Sequence, residues 1–157
     1  EYVYGSGYQL TQALIAFGRG EWFGVGLGNS IQKLYFLPEA HTDFVLAILA
    51  EELGLVGVTI VLILLSLLVY CGLAAGRQAE KKGLIYQAFS AYGIAVVFAS
   101  QILINVGVNT GLLPTKGLTL PFISYGGASL IISCMMVAIL IRVQYETDCA
   151  PPVARRS

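Results

Sequence analysis

This sequence has few charged residues. Only 11% of its 157 residues are Asp, Glu, Lys or Arg, whereas soluble domains carry roughly 25%. The nine acidic and nine basic residues cancel, so nothing in the charge balance favours nucleic acid or a strongly acidic partner. Hydrophobic residues make up 57% of the chain and the mean hydropathy is +0.77. This balance indicates a membrane protein that has no nucleic-acid partner.

Cysteine and histidine are also scarce. Cys71, Cys134 and Cys149 are widely spaced and odd in number, so we interpret them as small hydrophobic side chains rather than disulfide or metal ligands. The only histidine is His41, and no cluster with metal-ligand spacing accompanies it. The chain begins with Glu1 and shows no signal-peptide pattern. We therefore expect it to be the C-terminal part of a larger membrane protein.

Three uncharged segments are long enough to cross a bilayer. At about 1.5 Å per residue, a segment of 20 residues spans a hydrocarbon core of about 30 Å. The fold class predicted is all-α: a polytopic membrane protein with three C-terminal transmembrane helices and a long external loop that contains short helices. The predicted spans are residues 53–75, 84–108 and 122–141.

Basic residues orient these spans. Arg77, Lys81 and Lys82 lie between the first two spans, and Arg142 follows the third. Under the positive-inside rule these ends are cytoplasmic, so residues 142–157 form a cytoplasmic tail. By the same rule the remaining loops are external, and they comprise residues 1–52 and 110–121.

A helix that continued from residue 42 to residue 75 would be about 51 Å long, which exceeds the membrane thickness. It must project, tilt or break near Gly54 or Gly57, and we expect projection with a bend. Ala47, Ala50 and these two glycines lie within about 40° of residue 43 on such a helix. This stripe of small residues favours close helix packing, while a shallow groove for an acyl chain is the alternative.

Glu39, His41 and Asp43 stand directly before that helix, in the sequence Leu-Pro-Glu-Ala-His-Thr-Asp-Phe at 37–44. A carboxylate where water gives way to lipid loses hydration, which raises the pKa of a carboxyl group toward the range that a general base needs. Asp43 is therefore a candidate catalytic residue. A helix N-cap followed by first-turn acids is the simpler interpretation. Glu51 lies about 80° from Asp43 on the helix and could support it.

Two further patterns have open interpretations. Gln101, Asn105 and Asn109 recur every four residues in the second span and should face a helix bundle, where hydrogen bonding is favoured over substrate contact. Lys116 lies in a loop rich in Pro and Gly, where it could snorkel to lipid phosphates or hold a diphosphate. The glycines of residues 24–28 favour a loop that approaches a ligand or a neighbouring helix, because no nucleotide-binding unit surrounds them.

Three motifs together resemble the SEDS family of bacterial cell-wall proteins. They are LPEAHTDF at 37–44, AEELG at 50–54 and NTGLLPTKGLTLPFISYGG at 109–127. Residues 114–121 and 142–147 resemble the cell-division branch of that family. Ala128 departs from the pattern, since the family usually has Ser after the double Gly. The resemblance covers residues 12–147, and the family has about ten membrane spans, of which this chain would supply the last three.

The resemblance implies a peptidoglycan glycosyltransferase that polymerises lipid II at the external face of the membrane. The family's essential aspartate corresponds to Asp43, which would act as general base while undecaprenyl diphosphate leaves with inversion. The leaving diphosphate needs positive charge or a divalent cation, and no metal is assigned. Residues 1–157 would form one part of a single SEDS-type membrane domain that is inactive by itself. The candidate substrate-binding residues are Lys116, Thr115, Lys33, Glu39, His41, Ser124 and Tyr125, with Arg19 a weaker candidate.

The resemblance also implies partners and a location. It places the protein in the bacterial inner membrane at the division septum, with a class B penicillin-binding transpeptidase and other division proteins as partners. Two other classes of function stay open. A lipid II flippase would also be polytopic, but it predicts polar groups near the midplane of two related halves. A non-catalytic scaffold for the transpeptidase needs interface helices but no acid at the membrane surface.

Overall fold

The computed structural model describes residues 11, 15, 18–24, 26, 45–113, 120–124 and 126–150. Across these residues the regular secondary structure is helical, and no strand occurs among them, which confirms the all-α prediction. The three long helices are α1 (Val45–Lys81), α2 (Ile85–Asn109) and α3 (Gly127–Cys149). Most of the predicted external loop lies outside the described residues.

All three helices are long and apolar enough to cross a membrane. Their lengths of 37, 25 and 23 residues correspond to about 55, 37 and 34 Å. Large apolar side chains point away from the bundle on each of them, as shown by the exposure of Ile63, Leu103 and Ile131. Outward-facing apolar residues suit a lipid environment, and the protein is a multi-pass membrane protein.

The third helix is displaced from its predicted span of 122–141. Residues 121–123 form a turn in which Phe122 has a φ of 65°, and Gly126 is extended, so α3 begins only at Gly127. At the other end α3 continues to Cys149. Hydropathy detects where lipid ends and does not detect where a helix ends, because a polar last turn can remain helical outside the bilayer.

Small residues let α1 and α2 pack closely. A Cβ atom added to Gly76 would lie 2.6 Å from the ring of Tyr92, and one added to Gly72 would lie 3.1 Å from the Cβ of Ala95. Close approach of this kind is how membrane helices gain van der Waals contact. α3 joins the pair through Leu140 and Val143. The buried residues of this cluster are Ala75, Ala79, Ala88, Ala91, Phe98, Leu140 and Val143.

Polar contacts join the three helices at the end where α1 finishes. The ammonium of Lys82 donates to the carbonyl oxygens of Thr147 and, at 3.1 Å, Ala150. A cation there complements the negative end of the α3 dipole and satisfies carbonyls that lack helical partners. Gln144 donates to Gln78 of α1 at 2.9 Å. The ends of α1 and α3 that carry Lys82 and Thr147 therefore lie on the same side of the bundle.

A second apolar cluster lies at the opposite end, where α1 begins. It brings the segment 120–124 onto α1 and α2, since Leu120 is only 1% exposed and the Phe122 ring lies 5.9 Å from that of Phe98. This cluster supports the region in which the sequence motifs lie. Its buried residues are Leu46, Ala50, Val58, Leu65, Ile102 and Leu120.

Candidate functional site

Most of the predicted site residues lie outside the described part of the chain. The structure describes Ser124 and the weaker candidate Arg19, together with the start of α1, the end of α2 and the segment 18–26 without residue 25. The predicted residues outside the described ranges are Asp43, Lys116, Thr115, Lys33, Glu39, His41 and Tyr125.

A break divides α1 at Gly54. This residue has φ 68° and ψ −170°, a conformation that no residue with a Cβ adopts without strain. The half-helix Val45–Leu53 therefore leaves the long second half at an angle. The break confirms the expected bend at Gly54 or Gly57. It also means that the direction of residues 45–53 depends on what fills the gap between the two halves.

The gap is filled by residues 19–24 and 26, which we call the strap. The backbone carbonyl of Glu21 accepts a hydrogen bond from the backbone N–H of Leu55 at 3.0 Å. The backbone carbonyl of Trp22 accepts one from the N–H of Val56 at 3.3 Å. These two donors begin the second half of α1 and would otherwise lack helical partners. On the other side of the break, the N–H of Gly26 donates to the carbonyl of Glu52 at 3.2 Å. The strap is therefore hydrogen-bonded to both halves.

Glycine makes this contact possible. A Cβ atom at Gly20 would collide with the carbonyl of Ala50, and one at Gly24 would collide with the carbonyl of Glu52. One at Gly54 would lie 2.5 Å from the Gly24 nitrogen and the Trp22 oxygen. The backbone of the strap thus lies directly against the backbone of α1. This confirms for Gly24 the interpretation of the glycine run as a loop that approaches a neighbouring helix.

Glu51 is the buried carboxylate of this contact. Its side chain is fully buried, and the Arg19 guanidinium lies 3.9 Å from its Oε1. A buried charge is costly unless it is paired, so the Arg19 side chain stabilises Glu51 where it lies. Arg19 is half-exposed and was a weaker candidate for binding a diphosphate. Its pairing with Glu51 reduces the positive charge that it could offer to such a ligand.

The stripe of small residues is a packing surface. Ala47 and Ala50 are 0% and 2% exposed, and Gly54 is also buried. Ala50 packs in the second apolar cluster with Ile102, and Gly20 of the strap lies against its carbonyl. Close packing, the interpretation favoured from the sequence, is therefore confirmed for these three positions.

The polar stripe of α2 faces inward as predicted. Asn105 and Asn109 are 2% and 0% exposed, and Gln101 is half-buried. The Asn109 amide donates to the Asn105 backbone carbonyl at 2.9 Å and to its side-chain oxygen at 3.2 Å. For Asn105 and Asn109 this hydrogen bonding within α2 favours the structural interpretation over substrate contact.

Ser124 is buried, with 4% of its surface exposed, and its N–H donates to the Leu120 carbonyl at 3.1 Å. This bond closes the turn that begins at Leu120, so the described geometry gives Ser124 a structural role in that turn. Its predicted contact with substrate stays a prediction. Among the described residues, no three His, Cys, Asp or Glu side chains form a group suited to a metal ion.

The strap also carries residues that the sequence reasoning missed. Trp22 and Phe23 stand on a turn and are 67% and 85% exposed. A cavity of about 620 Å³ lies between this turn and the break, and its described lining residues are Gly18, Glu21, Trp22, Ala50 and Leu55. The available signal was the pair Gly20 and Gly24 on either side of the aromatic residues, which is typical of backbone that lies close to another element.

Comparisons with known proteins agree with this architecture. The model of the FtsW, RodA and SpoVE family, described as cell cycle proteins, matches residues 1–149. A protein from Hahella chejuensis named "Probable peptidoglycan glycosyltransferase FtsW" is 64% identical over 90% of this chain and 36% of its own length. Relatives of the same name from Halomonas elongata and Coxiella burnetii are 62% and 59% identical over 92% of the chain. The chain spans between 36% and 39% of the length of these three relatives.

Proposed function

This chain belongs to the FtsW, RodA and SpoVE family of cell cycle proteins, and we propose that the protein of which it is part polymerises lipid II into glycan strands during septal cell-wall synthesis. The observation that carries the proposal is the identity of about 60% with relatives named as peptidoglycan glycosyltransferases. The activity requires more of the protein than this chain, because the relatives are more than twice as long.

Asp43 is the proposed general base. In the sequence it stands two residues before Val45, the first residue of α1. The Asp43 carboxylate takes the proton from the 4-hydroxyl of the acceptor sugar while that oxygen attacks the anomeric carbon of the donor. The bond from that carbon to the diphosphate oxygen breaks, and undecaprenyl diphosphate leaves with inversion. General-base catalysis of this kind contributes about 10²–10⁴-fold to a rate.

The departing diphosphate carries the charge that must be stabilised. Lys116 is the proposed partner for it, with Thr115 beside it and Lys33 as a second cation. Glu39 and His41 adjust or order the Asp43 segment, and Ser124 and Tyr125 belong to the neighbouring loop. Ion pairing with Glu51 makes Arg19 a weaker diphosphate ligand than Lys116. A divalent cation could supply the same charge stabilisation.

Basic residues support an external position for this chemistry. Lys81, Lys82 and Arg142 lie toward the ends of α1 and α3 that the Lys82 hydrogen bonds hold together. Under the positive-inside rule that end is cytoplasmic, which supports an external position for the strap and the break, and for residue 43 in the proposed mechanism. Lipid II polymerisation at that face would be coupled to a class B penicillin-binding transpeptidase as partner.

A lipid II flippase is the second candidate, because α1 is a discontinuous helix. Transporters use discontinuous helices at their substrate sites, which lie near the membrane midplane. The break at Gly54 instead lies near one end of α1, with only nine of its 37 residues before it. A break near the end of the helix suits a site at the membrane surface, so the enzyme is the better supported candidate.

One experiment separates the two functions. The full-length parent, reconstituted with its transpeptidase partner in liposomes, is supplied with lipid II, and both glycan strands and lipid II transfer between leaflets are measured. We expect glycan strands to form. Transfer of lipid II between leaflets without any strands would refute the polymerase and establish the flippase.

A further inference from the structure

We propose that the strap positions the general base by fixing the direction of the half-helix Val45–Leu53, and that Arg19, Gly20 and Gly24 are positioning residues for this purpose. The inference rests on the proposed function for its catalytic consequence. Its geometric part, that the strap determines where the half-helix points, stands on described contacts alone. Gly20 and Gly24 act through backbone contacts with the half-helix, and Arg19 acts through its ion pair with Glu51.

The break at Gly54 removes a restraint on the angle between the two halves of α1. At Gly54 the helical path is interrupted, so the continuous ladder of hydrogen bonds that keeps a helix straight is lost there. Two backbone donors at the start of the second half, Leu55 and Val56, depend on the strap for their partners. Without the strap, only the packing of Leu46 and Ala50 in the second apolar cluster would oppose a change in the angle of the half-helix.

The strap touches both sides of the break. Residues 21 and 22 accept hydrogen bonds from the second half, while Gly26 donates to Glu52 of the first half. Gly20 and Gly24 lie in backbone contact with the first half, against Ala50 and Glu52. A change in the angle between the halves must therefore stretch a hydrogen bond or press two backbones together.

An ion pair also links the strap to the first half of α1. Glu51 belongs to the first half, and its buried carboxylate lies 3.9 Å from Arg19 of the strap. Moving the half-helix away from the strap would separate this pair and leave a buried charge without its guanidinium partner. The ion pair thus opposes the same motion that the hydrogen bonds and close contacts oppose.

The length of the half-helix turns a small change of angle into a large displacement. Its nine residues extend about 13.5 Å, so a tilt of about 10° at the break moves the far end by roughly 2 Å. Residue 43 follows that far end in the sequence. A misplacement of about 1 Å can lower a reaction rate about 10²-fold, because catalysis requires close alignment of the reacting groups.

The test compares Gly20→Ala with Gly18→Ala in the full-length protein. The two glycines are two residues apart, but a Cβ at Gly20 collides with the Ala50 carbonyl, whereas one at Gly18 meets no atom within 4 Å. We expect Gly20→Ala to lower the kcat for lipid II polymerisation by about 10²-fold with KM changed less than threefold. Gly18→Ala should keep the wild-type values.

A distance measurement reports position independently of activity. Spin labels are placed on Val45→Cys and Leu112→Cys in a background without other cysteines. They report the distance between the first residue of the half-helix and the segment that follows α2. We expect the distance to change by about 2 Å or more in Gly20→Ala, because a tilt of about 10° moves the end of the half-helix by that amount. The distance should stay constant in Gly18→Ala. A fall in kcat without a change in distance would overturn the inference, as would equal losses in both variants.

Arg19→Gln is the second test variant, for the case in which Gly20→Ala does not fold. It removes the partner of Glu51 but adds no steric clash, so we expect a smaller change in the same distance and a smaller fall in kcat. Arg19→Lys should restore both, and an Arg19→Gln protein with unchanged distance would contradict the proposal. If the wild type made no glycan strands, the proposed function would fail, while the distances would still decide whether the strap orients the half-helix.

Discussion

Replacing Lys82 by Met should loosen the end of α3. Its ammonium donates to the carbonyls of Thr147 and Ala150, where the α3 dipole also favours a cation. Hydrogen bonds that involve a charged group contribute about 1.5–3 kcal/mol each. Lys82 is only half-buried and regains hydration when released, so we expect a net loss of about 1–2 kcal/mol for the pair. The neighbouring Lys81 is exposed and provides the matched control.

The assay is amide hydrogen exchange of the full-length protein in detergent micelles. A loss of 1–2 kcal/mol in local stability corresponds to about 5–30-fold faster exchange in the last turn of α3, residues 146–149. Lys81→Met should leave those amides unchanged. Equal exchange in the Lys82→Met protein and the wild type would refute the reasoning that this side chain holds the three helices together at that end.

Two further predictions concern packing, and both are checked by the free energy of unfolding in mixed detergent micelles. Gly76→Ala forces a methyl group against the Tyr92 ring and should cost about 1–3 kcal/mol, whereas Gly93→Ala, where no atom lies within 4 Å, should cost nothing. Phe98→Ala empties a fully buried site and should cost about 3–5 kcal/mol, whereas Phe89→Ala, 71% exposed, should have little effect. Equal effects within either pair would contradict the packing described.

The sequence predicted the helices well because their signal is local. Uncharged runs identify membrane helices directly, and a glycine within a helix too long for the membrane marks the place of the bend at Gly54. The four-residue spacing of Asn105 and Asn109 likewise predicted that this face lies inside the bundle. In each case residues close in sequence carry the whole argument.

The strap could not be predicted in the same way. Its contacts join residues 19–24 and 26 to residues 50–56 mainly through backbone atoms, and backbone contacts leave no periodic pattern of side chains. Glu51 shows the consequence, since helical geometry predicted its angle to Asp43 but not its ion pair with Arg19 of the strap. In the sequence, the close approach of the strap to α1 is indicated by glycines. Glycine is equally compatible with a flexible loop, so it does not predict the contact by itself.

Asp43 is the residue on which the proposed chemistry depends. The decisive measurement is the rate of lipid II polymerisation by the full-length protein with its transpeptidase partner, comparing wild type with Asp43→Asn. Asp148→Asn is the matched control, because it removes an exposed carboxylate at the opposite end of the bundle. We predict that Asp43→Asn lowers the rate by at least about 10²-fold while the protein still folds and binds lipid II, and that Asp148→Asn is active. Polymerisation by Asp43→Asn at the wild-type rate would contradict the account.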